Sequence, residues 1–203
     1  MKCPRKKASL AAVLLAGSLA LTGCMAQHMP TVPTALTQSA PLKIEVVGEV
    51  EIYLLPGAAL EGKPAIHNVG SMDVYCFMQV EMPVFPSETV VLEADEPAAD
   101  PVSLLCFTVS DVWTLVEQTE ADGMRTAVYA YGTPMRLHPG ETTDNLFTEW
   151  RVTNFRVRNG LCGDYTYREL TEKAAQFHIQ GYAIQADHIG DNLAPETLWQ
   201  MLN

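Results

Sequence analysis

Positive charge is scarce in this 203-residue chain, where 13 Lys and Arg stand against 24 Asp and Glu. Four of the 13, Lys2, Arg5, Lys6 and Lys7, fall within the first seven residues, so without residues 1–23 nine basic residues face 24 acidic ones, a net charge of −15. An excess of that size repels phosphate backbones and anionic membrane surfaces, which excludes nucleic acid as a partner and suits solubility outside the cell. Metal-site spacing is also lacking. There is no Cys-x-x-Cys pair, no zinc-ribbon spacing and no His-Glu-x-x-His, and His67, His138, His178 and His188 are dispersed. No Gly-x-Ser-x-Gly elbow is present to set up a nucleophile. The acidic run of Glu93, Asp95, Glu96 and Asp100 offers oxygen ligands for calcium but departs from the EF-hand spacing, and it reads as a solvated loop. These absences lead to the expectation of no catalytic residues, no metal and no cofactor.

What is present begins with the N-terminus. The basic cluster is followed by an apolar run, Ala8 to Leu21, too short to span a bilayer comfortably. Together they read as a secretory signal peptide over residues 1–23. The run ends in "LTGC", which resembles a bacterial lipobox, so Cys24 is expected to carry lipid and to anchor the chain at the membrane. Residues 24–41, "CMAQHMPTVPTALTQSAP", contain three prolines and no period, and read as a flexible tether. Its stretch from Met25 to Pro41 reaches at most about 60 Å when extended.

The folded part is expected over residues 42–203. "KIEVVGEVEIYLL" alternates most cleanly, with Ile44, Val46, Val50, Ile52 and Leu54 on one face and Lys43, Glu45, Glu49, Glu51 and Tyr53 on the other. The same period-2 pattern marks "DVYCFMQVEMP" as a strand with one face buried. Further strands are expected at 64–69, 73–82, 89–94, 103–109, 112–118, 125–131, 147–157 and 176–186, separated by Pro, Gly, Asp and Asn clusters. Helical signals are few. Pro195 opens a short C-terminal helix over 193–202, whereas 167–177 is left open between a helix and a loop. Many short strands with frequent turns argue for an all-β antiparallel sandwich with a short C-terminal helix.

Some thiols and rings also need a reading. Cys76, inside an apolar alternation, reads as a small buried hydrophobe, and Cys162, in "NGLCGDYTY", as the more exposed thiol. With Cys24 lipidated, Cys76, Cys106 and Cys162 form an odd set. One disulfide with a spare thiol and three reduced thiols both stay open. Tyr129, Tyr131 and Tyr182 fall on expected strands, where packing is the ordinary role and a sugar- or peptide-binding rim the sharper one.

The ordered blocks "HNVGSMDVYCFMQVEMP", "FTVSDVWTLVE", "TAVYAYG", "LHPGETTDNLFTEWRV", "GYAIQAD" and "ETLWQML" resemble the SipW-dependent secreted proteins of Gram-positive bacteria, a group similar to TasA and camelysin. The resemblance spans about residues 43 to 203. It implies a jelly-roll-like β-sandwich and a role at the cell surface or in the biofilm matrix. It also implies self-association or assembly with related matrix subunits, in which the N-terminal strand of one subunit completes the sheet of the next. That makes Ile44, Val46, Val50, Ile52 and Leu54 the strand-exchange candidates. Two departures stand out. The signal segment lacks the aromatic cleavage region of such precursors, and no histidine-carboxylate motif supports the metalloprotease activity assigned to camelysin relatives. The expected function is that of a non-enzymatic exported surface protein. A camelysin-like metalloprotease and a lipid-anchored sugar- or peptide-binding protein are the alternatives.

Overall fold

The computed structural model describes residues 42–48, 50–94, 96, 99–187, 189 and 193–202. The expected signal peptide, the tether and Cys24 lie outside the described residues. In chain order the elements are β1 (Ile44–Val47), β2 (Ala65–Asn68), β3 (Val74–Phe85), β4 (Val102–Ser103), β5 (Leu105–Val109), β6 (Trp113–Ala121), β7 (Met124–Tyr131), β8 (Arg136–Leu137), β9 (Phe147–Val152), β10 (Leu161–Cys162), β11 (Tyr165–Thr166), α1 (Tyr167–Ala174), β12 (His178–Gln185) and α2 (Pro195–Gln200). The fold is all-β and antiparallel, with a short C-terminal helix.

The main sheet runs β12-β3-β7-β6, and β8 and β4 extend the pairing at the two ends of β3. The β6–β7 hairpin closes at Ala121 opposite Met124, around Asp122 (φ 53°) and Gly123 (φ 75°). Two positive φ values in succession need an Asp-Gly type of pair, whose twist matches that of the strands. Facing this sheet are β1, β2, β9 and β5. β1 pairs with β2 and β5 with β9, while a bridge from Ala59 to Arg151 ties β9 to the segment leading into β2 and one from His67 to Thr142 ties β2 to the segment leading into β9. Backbone bonds from Thr143 to Ile66 and from Leu146 to Pro64 complete the seam.

The core follows from the two-residue period. Val74, Cys76, Met78, Val80 and Met82 of β3 point inward onto Ile66, Phe147 and Trp150, which gives the arrangement its sandwich-like section. The opposite face of β3 is not wet over most of its length. Tyr75 and Phe77 are buried beneath α2, where the rings of Phe77 and Trp199 lie 5.5 Å apart. A second cluster closes one end, with Phe85, Leu104, Leu105, Phe155, Cys162 and Leu170 beneath α1. The segment left open in the sequence is helical here because Thr166 and Glu169 form a capping box. Thr166 Oγ1 accepts from Glu169 N at 3.2 Å, and Glu169 Oε2 accepts from Thr166 N at 2.7 Å.

Two expected strands are corrected. Residues 89–94 contribute only a bridge from Leu92 to Phe155 after a 3-10 turn at Ser87–Thr89. The long strand over 42–55 shrinks to Ile44–Val47, since Gly48 at φ +84° turns the backbone out of the extended region.

Candidate functional site

The strand-exchange residues gather where the sandwich-like arrangement opens. β1 is the end strand of its layer and lies over β12, the end strand of the other. Gly181 in β12 makes the approach possible. A Cβ there would sit 2.7 Å from Val46 Cγ2 and 3.3 Å from Ile44 Cδ1. Ile44 and Val46 therefore share the inward face, although Val46 remains 42% exposed and Val47 38%. Beyond Gly48 the alternation persists without a ladder. Val50 and Ile52 are half-buried against the main core, and Leu54 is buried in the end cluster beside Phe85 and Leu170. Tyr167 donates from its hydroxyl to the Leu54 carbonyl and so tethers that end. The five candidates thus divide into two on a ladder, two resting on the core and one fixed in it. Between this segment and β12 runs a groove of about 700 Å³, with Val46, Val50, Ile52, Phe177 and Ile179 in its apolar walls. Such a groove under a short edge strand is a place where main-chain pairing can be exchanged.

Most of the remaining described candidates for chemistry are engaged in structural contacts. His67 Nδ1 lies 3.0 Å from the Glu141 carbonyl and 2.9 Å from Thr142 Oγ1, across the bridge that joins β2 to the 142 segment. His138 Nδ1 meets Asp73 Oδ1 at 2.9 Å, and that contact, with the charges of Asp73 and Glu141, raises the imidazole pKa above its ordinary 6.5. His178 starts β12, and His188 lies outside the described residues. Among the described residues no three His, Cys, Asp or Glu side chains converge within reach of a metal ion.

The acidic loop turns out to be tied down rather than solvated. Glu93 takes a forked pair of bonds from Arg156, at 3.0 and 2.7 Å. Glu96 accepts from Arg151 at 2.9 Å and from the Asn154 backbone at 2.7 Å. Its side chain is only 4% exposed, and the Arg151 bond holds its carboxyl below the usual glutamate range. Asp100 accepts from Ser87 N, and Asp95 lies outside the described residues. The described carboxylates are therefore committed to guanidinium and amide donors, not gathered round a cation.

The three described cysteines, Cys76, Cys106 and Cys162, are unpaired. Burial pushes the Cys76 thiol up to about 12 and raises Cys162 as well, so neither is a thiolate nucleophile near neutrality. The reading of Cys162 as the exposed thiol is overturned, because β10 folds it into the end cluster. Cys106 is the half-exposed one, with Sγ 3.1 Å from Thr153 Oγ1. The three tyrosines do not share a rim. Tyr129 and Tyr131 are core residues, Tyr131 donates to Asp144 Oδ2 at 3.0 Å, and Tyr182 meets Trp199 edge to face on the other side of the sheet. No family model, no curated protein and no solved structure matches this chain.

Proposed function

We propose that the protein is a non-enzymatic, exported surface protein, held to the membrane through lipid on Cys24 and contributing to an extracellular matrix by exchange of its N-terminal strand. The resemblance to TasA-like secreted proteins motivates the role, and with it a jelly-roll topology. The single observation that carries the reading is the state of β1: a four-residue end strand, two of its valines partly exposed, seated over a glycine and beside an apolar groove. A strand held by one ladder is released at the cost of few hydrogen bonds, and the same bonds re-form on a neighbour's edge. The lipidated copy acts as a base, since its tether limits how far it donates its strand. Other subunits add to the edge that it offers.

The test is deletion. A protein lacking residues 42–48 keeps its core clusters and is expected to lose assembly, as followed by electron microscopy of the purified protein over time. A synthetic peptide of residues 42–48 is expected to bind the truncated protein and restore its stability. Full stability in the truncated protein, with indifference to the peptide, refutes strand exchange. The anchor is tested separately: Cys24→Ala releases the protein from the membrane fraction, and an unmodified N-terminus by mass spectrometry sinks lipidation.

A further inference from the structure

The two layers also open at the edge away from β1 and β12, where β6 ends one layer and β5 the other. A cavity of about 280 Å³ lies there, lined by residues of β5, β6 and the inward face of β7. Two tyrosines stand on that face of β7, and their hydroxyls differ. Tyr131 donates to Asp144 Oδ2 at 3.0 Å. The Tyr129 hydroxyl has no hydrogen-bond partner among the described residues, although the residue is only 8% exposed. Trp150 Nε1 is sealed inside the core, whereas the Tyr129 oxygen is not shut off from solvent, and Tyr129 lines the cavity. Buried polar groups are nearly always satisfied, so a phenol left over at a cavity wall calls for a partner from outside the chain.

The surroundings say which kind of partner. Arg125 lies on the same face of β7 and also lines the cavity. Burial raises the Tyr129 phenol above its ordinary pKa of 10, and the Arg125 charge pulls it part of the way back, so the guanidinium stands close to the phenol oxygen. A neighbouring cation turns the lone pairs of a hydroxyl toward itself and its proton away, which makes Tyr129 a donor to whatever fills the cavity. The charged side chains described in the lining are already paired, Arg125 with Glu120 at 2.6 Å and Glu96 with Arg151 at 2.9 Å. Neither an anion nor a cation is selected. Leu92, Pro101 and Phe107 offer half-buried apolar surface, and the exposed Gln118 can donate or accept at the mouth. A cavity just below the range that holds drug-sized ligands takes a smaller one.

We propose that this cavity binds a small neutral molecule of the ketone or ester kind, its apolar body against Phe107, Leu92 and Pro101 and its carbonyl oxygen accepting from the Tyr129 hydroxyl. The site is independent of strand exchange, since none of its residues belongs to residues 42–55.

Cyclohexanone is the probe, titrated into the intact mature protein carrying ¹³C at the ζ carbon of its tyrosines. The Tyr129 resonance is expected to move and saturate while that of Tyr131, whose hydroxyl is already engaged, stays in place. Tyr129→Phe keeps the ring and removes only the hydroxyl. It is expected to weaken cyclohexanone by roughly 5–10-fold, the effect of one neutral hydrogen bond. Without the probe, this variant is expected to unfold at the same urea concentration as the native protein, because the hydroxyl has no internal bond to lose. The proposal is overturned if the Tyr129 resonance does not respond up to the solubility limit, if Tyr129 and Tyr131 move together, or if Tyr129→Phe binds the probe as well as the native protein does. A variant that unfolds earlier than the native protein, or does not fold, also overturns it, because the hydroxyl is then bonded within the fold.

Discussion

Residues 42–55 alternate apolar and polar side chains more cleanly than any other stretch of the chain, yet only Ile44–Val47 enter a ladder, whereas residues 74–85, where apolar side chains nearly run together, form the longest strand. The difference lies in the number of covered faces. β3 has β12 and β7 along its length, the Ile66 and Trp150 cluster on one face and α2 on the other. Gln79 and Glu81, its two half-exposed positions, satisfy each other at 2.7 Å. β1 has one neighbour, one covered face and a glycine that ends it. Clean alternation therefore reports a strand with one side in water. It does not report how much of the fold depends on that strand, and the pattern blurs in a strand buried on both faces because side chains on both sides are then apolar.

The comparison is broken most directly by truncating a side chain in each strand. Phe77→Ala empties a fully buried site under Trp199 and is expected to destabilise the protein by about 3–5 kcal/mol in urea unfolding. Val46→Ala, at a site already 42% exposed, is expected to cost less than about 1 kcal/mol. Equal costs would mean that β1 is as deeply built in as β3. An effect between these two sharpens the contrast from the other side of the seam. Gly181→Val drives two methyl groups toward Ile44 and Val46, and the expected loss is about 1–3 kcal/mol. Amide exchange should then accelerate over residues 44–47 and remain slow over 74–85. Unchanged exchange in β1 would show that β1 is not held by its fit over Gly181.

Much of the fold was legible because one local signal was enough. β2, β5, β9 and β12 fall within the stretches marked by alternation and turn residues, β3, β6 and β7 overlap theirs and run one to three residues beyond, and α2 begins at its Pro195. α1 was also within reach, since Thr166-x-x-Glu169 spells its capping box in the sequence. Residues 89–94 show where local signals stop. "TVVLEA" has strand propensity, but Glu93 bonds to Arg156, and Leu92 finds only a bridge to Phe155. That outcome depends on partners more than 60 residues away, which no window of sequence contains. The site divides along the same line. The apolar face of residues 44–54 could be read from its period, whereas the cover over Gly181 and the meeting of Phe107 with Tyr129 at one cavity are products of register between distant strands.

The smallest expected effect concerns how the start of β3 is tied down, a fixture that β1 lacks. Asp73, immediately before Val74, holds His138 by a 2.9 Å contact and also takes Ala186 N on its carbonyl. The groups facing the imidazole are Asp73 and Glu141, which favour its charged form, and Arg136, which opposes it. Since the folded pKa is raised, the pair stabilises the fold fully below the unfolded value of 6.5, and the stabilisation disappears as pH rises through the folded pKa. Both side chains reach solvent, so salt should weaken the effect. Asp73→Asn is expected to bring the His138 titration, followed by imidazole resonances, back toward 6.5, and to reduce stability in mildly acidic but not alkaline buffer. If the His138 titration is the same in the variant, the carboxylate does not hold the imidazole. The entry into β3 then depends, like that of β1, on its ladder alone.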